Sequence, residues 1–198
     1  GGQRWRALTV DDHQRLVTVE AASTAQKPKF SGSVGQVHDR IRQEMYRLYC
    51  SDAVPGFLDP NAQTLLQQTR STFAAYELAQ TALLEQDQDT LLFCWQGDKV
   101  LNTIAVQLAA RGLKAYRDSI AIVVRKTSAS ALMMHLGELV DAGPADGPEL
   151  AATISNKTID KYDSFLTPEL LCHNYAESQL DVQKAWETLR HIVDGTAT

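Results

Sequence analysis

Interleaved cations and aromatic rings are the most suggestive chemistry in this chain. Near the N-terminus Arg4, Trp5, Arg6, Lys27, Lys29 and Phe30 alternate charge with ring faces. Cations hold phosphates without reading sequence, and aromatic faces stack on bases. Arg40 and Arg47 fall on one arc of a predicted helix, and Arg117 with Arg125-Lys126 makes a second basic group. Lys99 and Asn102 are weaker candidates that open another predicted helix, whose first N–H groups can receive a phosphate. Each residue also has a plainer reading. Trp5 can anchor a hairpin, Phe30 can plug a loop, the lysines can be solvated, and Lys99 and Asn102 can be ordinary polar first-turn residues.

Motifs for bond-making chemistry are missing by their spacing. A phosphate loop needs Gly-x-x-x-x-Gly-Lys-Ser/Thr, and no Gly-Lys pair occurs. Gly32-Ser33-Val34-Gly35 has the glycines without the lysine and reads as the entry to a helix. Asn156-Lys157-Thr158-Ile159 puts Ile where a guanine-reading motif needs Asp. There is no Gly-x-Ser-x-Gly elbow. His13, His38, His135, His173 and His191 show no metal-binding i, i+4 pair, and Cys172-His173 are adjacent, so they do not share a helix face. Asp87-x-Asp89 reads as a solvated turn. The expectation is therefore no catalytic residue, no metal and no cofactor in this chain.

Composition bounds the class. The 198 residues are 44% hydrophobic and 22% charged, ordinary for a globular chain and unlike collagenous or disordered sequences. The net charge is −5, but residues 1–50 hold eight basic against five acidic side chains, +3, which leaves −8 for the rest. Such asymmetry suits a module that meets phosphate with one face and leaves an acidic remainder for other contacts. No run of about 18 apolar residues exists to span a membrane. Cys50, Cys94 and Cys172 form no CxxC pair, so neither a zinc site nor a disulfide framework is expected, and a reducing cytoplasm is the expected compartment. Gly1-Gly2-Gln3-Arg4-Trp5 has neither a start Met nor a secretory core, so the chain is expected to be a piece cut from a longer protein just before a strand.

The elements that must position these residues follow from periodicity. Arg4–Val10 and Leu16–Ala21 read as a hairpin around Asp11-Asp12-His13-Gln14, and 22–35 as a linker. Val34–Tyr49 has Val34, Val37, Ile41, Met45 and Leu48 on one arc and Gln36, Arg40, Gln43 and Arg47 on another, an amphipathic helix with a basic polar stripe. A helix is expected from about Asn61 to Leu78, with Leu65, Leu66, Thr69, Phe73 and Tyr76 inward, then a turn at Gln86–Asp89. Leu91–Trp95, a helix through Val100, Ile104 and Leu108 closed by Gly112, Leu113–Arg117 and Ile120–Arg125 form a β-α-β-β unit. Helices follow at Ala129–Val140, Glu149–Ile154, Pro168 to about Gln179 with Thr167 as N-cap, and Asp181 to about Val193. The fold class is α+β: residues 1–126 as a hairpin, two helices and the β-α-β-β unit, and 127–198 as a helical part packed on it.

Several strings together resemble one family. Gly1-Gly2-Gln3-Arg4-Trp5-Arg6-Ala7-Leu8-Thr9-Val10-Asp11 resembles the strand that opens the domain after the motor in bacterial Lhr-type (large helicase-related) DEAD/DEAH-box helicases. Lys27-Pro28-Lys29-Phe30-Ser31-Gly32 resembles the Pro-x-Phe-x-Gly segment that comes next there, and Leu91–Arg125 that family's β-α-β-β unit. Lys161-Tyr162-Asp163-Ser164-Phe165-Leu166-Thr167-Pro168-Glu169-Leu170-Leu171 resembles a closing segment of bacterial relatives. None of these strings is catalytic. The resemblance implies a C-terminal accessory module of an ATP-dependent DNA helicase, partnered with DNA and with its own motor domains. ATP and Mg would belong to that motor, since this chain has no Walker motif and no DEAD/DEAH box. The alternative is a structural or protein-docking module that never touches nucleic acid.

Overall fold

The computed structural model describes residues 5–11, 14–21 and 35–195. The chain is α+β and divides into two compact units, Gly1–Gly35 and Gln36–Thr198. In the first, β1 (Trp5–Asp11) pairs antiparallel with β2 (Leu16–Ala21), as the β-rich runs predict. The Asp11 carboxylate accepts from Gln14 N at 2.9 Å at the turn, and Arg15 takes a positive φ of 52°. The register slips between Ala7 and Thr9. Within that unit the strands are exposed on both faces.

The second unit is built on a four-stranded sheet in the order β3 (Leu83–Gln86), β4 (Asp89–Leu92), β6 (Ala121–Val124), β5 (Ala115–Asp118), every neighbour antiparallel. Strand β3 was not expected. It completes a hairpin whose turn is the predicted Gln86–Asp89 segment. The ladder of β4 ends at Leu92, three residues before the predicted Trp95. Helix α3 (Asp98–Ala110) joins β4 to β5, with β6 between those two parallel strands, a split βαβ arrangement. Gly112 ends α3 at φ 86°, the left-handed conformation that a C′ glycine adopts without a Cβ penalty.

Period-two alternation gives the sheet two different faces. Thr90, Leu92, Ile122 and Val124 are fully buried against α3, α4 (Ala129–Asp141) and α7 (Val182–Val193). Leu101, Ile104 and Leu108 of α3, Leu132 and Leu136 of α4, and Leu189 of α7 fill that core. Residues on both sides of position 126 thus share one apolar cluster, and the division between compact units falls at Gly35 and Gln36. On the opposite face Leu84, Leu91, Phe93 and Ala121 meet an aromatic cluster from α1 (Asp39–Tyr49) and α2 (Pro60–Ala75). Helices α5 (Gly147–Ala152) and α6 (Pro168–Gln179) pack a third cluster around Leu150, Ala151, Ala176 and Leu180. Thr167 accepts from Leu170 N with Pro168 in the first turn, the predicted start of α6.

Two helical faces differ from the periodic expectation for electrostatic reasons. In α1, Ile41 is 55% exposed and Arg42 is buried, so the inward arc turns by one residue. Arg42 Nη2 donates to Ser119 O at 3.1 Å and lies 3.7 Å from the Asp98 carboxylate. In α2, Leu65 and Tyr76 are exposed, Thr69 faces solvent, and Arg70 is buried beside Leu66 and Phe73. Arg70 donates to Leu48 O and Ala53 O at 2.9 and 2.6 Å, tying the last turn of α1 and the loop after it to α2. Helix α1 also starts later than expected, at Asp39, because His38 Nδ1 accepts from Arg40 N as an N-cap. No helix among the described residues is long and apolar enough to cross a membrane.

Candidate nucleic-acid interface

The polar stripe of α1 is set over the sheet by a tightly bonded junction with α3. Asp98 N donates to Val37 O at 2.9 Å, Val37 N to Asp98 Oδ2 at 3.1 Å, and Gly97 N to Asp39 Oδ1 at 2.6 Å. A Cβ on Gly97 would lie 2.6 Å from both Asp39 N and Val37 O, so this position needs glycine for approach. Lys184 of α7 holds Asp39 Oδ2 at 2.5 Å, and Arg117 pairs with Asp98. Burial raises the Asp98 carboxyl, but the Arg117 hydrogen bond, the Val37 N–H and the Arg117 and Arg42 charges outweigh it and hold Asp98 below its ordinary value. Burial likewise opposes, and Lys184 with the Gly97 N–H outweighs it, to lower Asp39.

This junction sorts the predicted cations into occupied and available. Arg117 belongs to it, with its side chain 39% exposed, and is not a free phosphate contact. Lys99 Nζ donates to Glu177 O, and Asn102 to Gln179 O and Tyr175 Oη, so both close the C-terminal end of α6. Arg125 pairs with Asp89 at 3.3 Å, while the Lys126 side chain is exposed without a partner among the described residues. Those two lie at the other end of β6 from the Ser119 turn that Arg42 holds, so the fold does not bring them to α1. Trp5 is 55% exposed and Arg6 pairs with Glu20 across the β1–β2 hairpin. Arg4, Lys27, Lys29 and Phe30 lie outside the described residues.

What remains together is the predicted stripe of α1. Arg40, Gln43 and Arg47 face solvent, and Arg40 has no partner among the described residues. Among the described residues Arg47 pairs with Glu44 alone, at 3.0 Å, with 73% and 54% of the two side chains exposed. A pair so solvated is worth little and yields readily to a phosphate.

Beside this stripe, Gln43, Tyr46 and Arg47 of α1, its C-cap Cys50 and Trp95-Gln96 line an open cavity of about 410 Å³. With the cap, the α1 residues are spaced i, i+3, i+4 and i+7, one helix face. Its aromatic side is fixed by packing: the Trp95 ring lies 5.2 Å from Tyr46, 5.7 Å from Phe73 and 6.0 Å from Phe93. Trp95 holds a φ of 52°, unusual for a bulky residue, at the turn from β4 into α3. Gln43 Nε2 donates to Gln96 Oε1 at 3.2 Å. Burial and the neighbouring Cys50 push the Tyr46 phenol up. Sequence reasoning placed Arg40, Gln43 and Arg47 on one arc but missed Trp95 and Gln96, which periodicity along α1 cannot show.

A second cavity, about 430 Å³, lies between α2 and the open sheet face, with Tyr49, Phe73, Tyr76, Leu84, Leu91 and Ile120 among its walls. No three His, Cys, Asp or Glu side chains among the described residues gather as a metal site. Comparisons with protein-family models, with curated proteins and with solved structures returned no match.

Proposed function

We propose that this chain is an accessory module that holds a single nucleic-acid strand for a motor located elsewhere in a longer, Lhr-type DNA helicase, and does no chemistry of its own. The observation that carries the reading is the α1 stripe, where Arg40 and Arg47 stand in solvent beside an aromatic-walled cavity. A motor that moves along a strand needs grip without sequence preference. Phosphate contacts supply that grip, and ring faces add stacking to it. ATP and Mg have no part in the module and act in the motor. The unit from Gln36 onward carries fourteen basic and twenty-one acidic residues, so its grip is confined to a local face.

The apolar cavity beside α2 favours a second reading, in which the module docks a protein and never meets nucleic acid. Salt separates the two. Phosphate contacts weaken steeply with added salt, whereas apolar docking does not. Fluorescence anisotropy with labelled single-stranded and duplex DNA should give affinity that falls several-fold between about 50 and 200 mM salt and falls again in the double variant Arg40→Ala/Arg47→Ala. Absence of binding at the lower salt would discard the strand-holding reading and leave the docking one.

A further inference from the structure

We infer that the cavity formed by Gln43, Tyr46, Arg47, Cys50, Trp95 and Gln96 takes one unstacked nucleobase of the bound strand; this rests on the strand-holding reading of the α1 stripe. Four features of the cavity select that ligand. Its volume, about 410 Å³, is in the range of small-ligand sites, and it opens to solvent beside the stripe. Its aromatic side, half-buried Tyr46 and the small exposed part of the otherwise buried Trp95, is held by the packed ring cluster, so this wall is in place before a ligand arrives.

The two amides supply the polar edge. Gln96 is buried, and the bond from Gln43 uses its Oε1 while its Nε2 donates to no described residue. Gln43 Oε1 likewise keeps its accepting capacity. The pair therefore keeps one donor, Gln96 Nε2, and one acceptor, Gln43 Oε1, uncommitted among the described residues, and the edge of a planar base can use both kinds of group. Arg47 lines the cavity, where the phosphate attached to such a base would pass, and the solvated Glu44 carboxylate 3.0 Å from its guanidinium is the group that phosphate would displace. The amide pair and the arginine distinguish this cavity from a neighbouring one of about 310 Å³ that shares the Tyr46 and Trp95 rings and adds Gln80, Thr81 and His191. The one at Glu85, Asp87 and Asp89 is acidic, and the mostly apolar groove beside α2 carries the Glu85 carboxylate in its wall. Single-strand binders that splay out a base stack it on side-chain rings and hydrogen-bond its edge.

The test uses the whole chain and two labelled single strands of equal length, one with ordinary bases and one with an abasic backbone. Both carry the same phosphates. We expect the base-bearing strand to bind about tenfold more tightly at low salt, the scale of one stacked base. Gln43→Ala, at an exposed position, should bring that ratio toward one. Cys50 gives an independent readout because its thiol is exposed and lines the same cavity. The base-bearing strand should slow its alkylation and the abasic strand should not. Equal affinity for the two strands with equal Cys50 reactivity overturns the base site and leaves the stripe as the strand contact. Failure of both strands to bind overturns the base site and the strand-holding reading together.

Discussion

Replacing Gly97 by Ala should uncouple α1 from α3 without changing the charge of any side chain. The backbone there is ordinary, φ −72° and ψ 176°, so alanine brings no torsional strain and the effect is steric. Its Cβ would sit 2.6 Å from Asp39 N, 2.6 Å from Val37 O and 2.8 Å from Asp39 Oδ1. Two of those atoms are backbone and have no rotamer to escape into. The start of α1 must retreat, and three hydrogen bonds lengthen with it: Asp98 N to Val37 O, Val37 N to Asp98 Oδ2 and Gly97 N to Asp39 Oδ1. Overpacking costs about 1–3 kcal/mol, and weakened bonds to a carboxylate add to it, so the expected loss is roughly 3 kcal/mol. For a chain of this size that lowers Tm by about 6–12 °C. Urea denaturation followed by circular dichroism measures the loss. Gly137→Ala in α4 is the control, because its Cβ meets nothing within 4 Å and helix propensity should raise stability by about 0.5–1 kcal/mol. A Gly97→Ala variant within 1 kcal/mol of the parent would refute the claim that the junction is close-packed.

Three further outcomes follow from the same contacts. Asp39 and Asp98 both have folded pKa values below the ordinary carboxylate value, so their stabilisation is complete above about pH 4 and is lost as pH falls through the folded values. The urea midpoint should therefore decline on acidification below about pH 4, and Asp98→Asn, already weaker at neutral pH, should show a shallower decline; an identical acid slope in both would count against it. Burial pushes the Cys94 thiol up to about 12, so mass spectrometry after native alkylation should find Cys50 modified first and Cys94 only after unfolding. Arg70→Ala should cost roughly 2–3 kcal/mol in urea denaturation, since Leu48 O and Ala53 O lose their charged donor, and a near-neutral result would mean solvent replaces it freely.

Local chemistry along the sequence was enough to determine most of the elements. The caps at Thr167 and Gly112, the hairpin around Asp11–Gln14, the 3.6-residue arc of α3 and the spans of α6 and α7 are properties of neighbours in the chain, so they are legible without the fold. The α1 stripe of Arg40, Gln43 and Arg47 was legible for the same reason. Strand β3 was not, because four residues, Leu83–Gln86, become a strand only through pairing with β4. Nor was the burial of Arg42 and Arg70 in place of Ile41 and Leu65, since a guanidinium goes inward only where Asp98, Ser119 or the end of α1 waits for it. Only the tertiary structure decided which cations are spent on carboxylates and carbonyls and which stand free. It alone carried Trp95 and Gln96 to a helix some fifty positions earlier in the chain, because ring packing and charge pairing act through space.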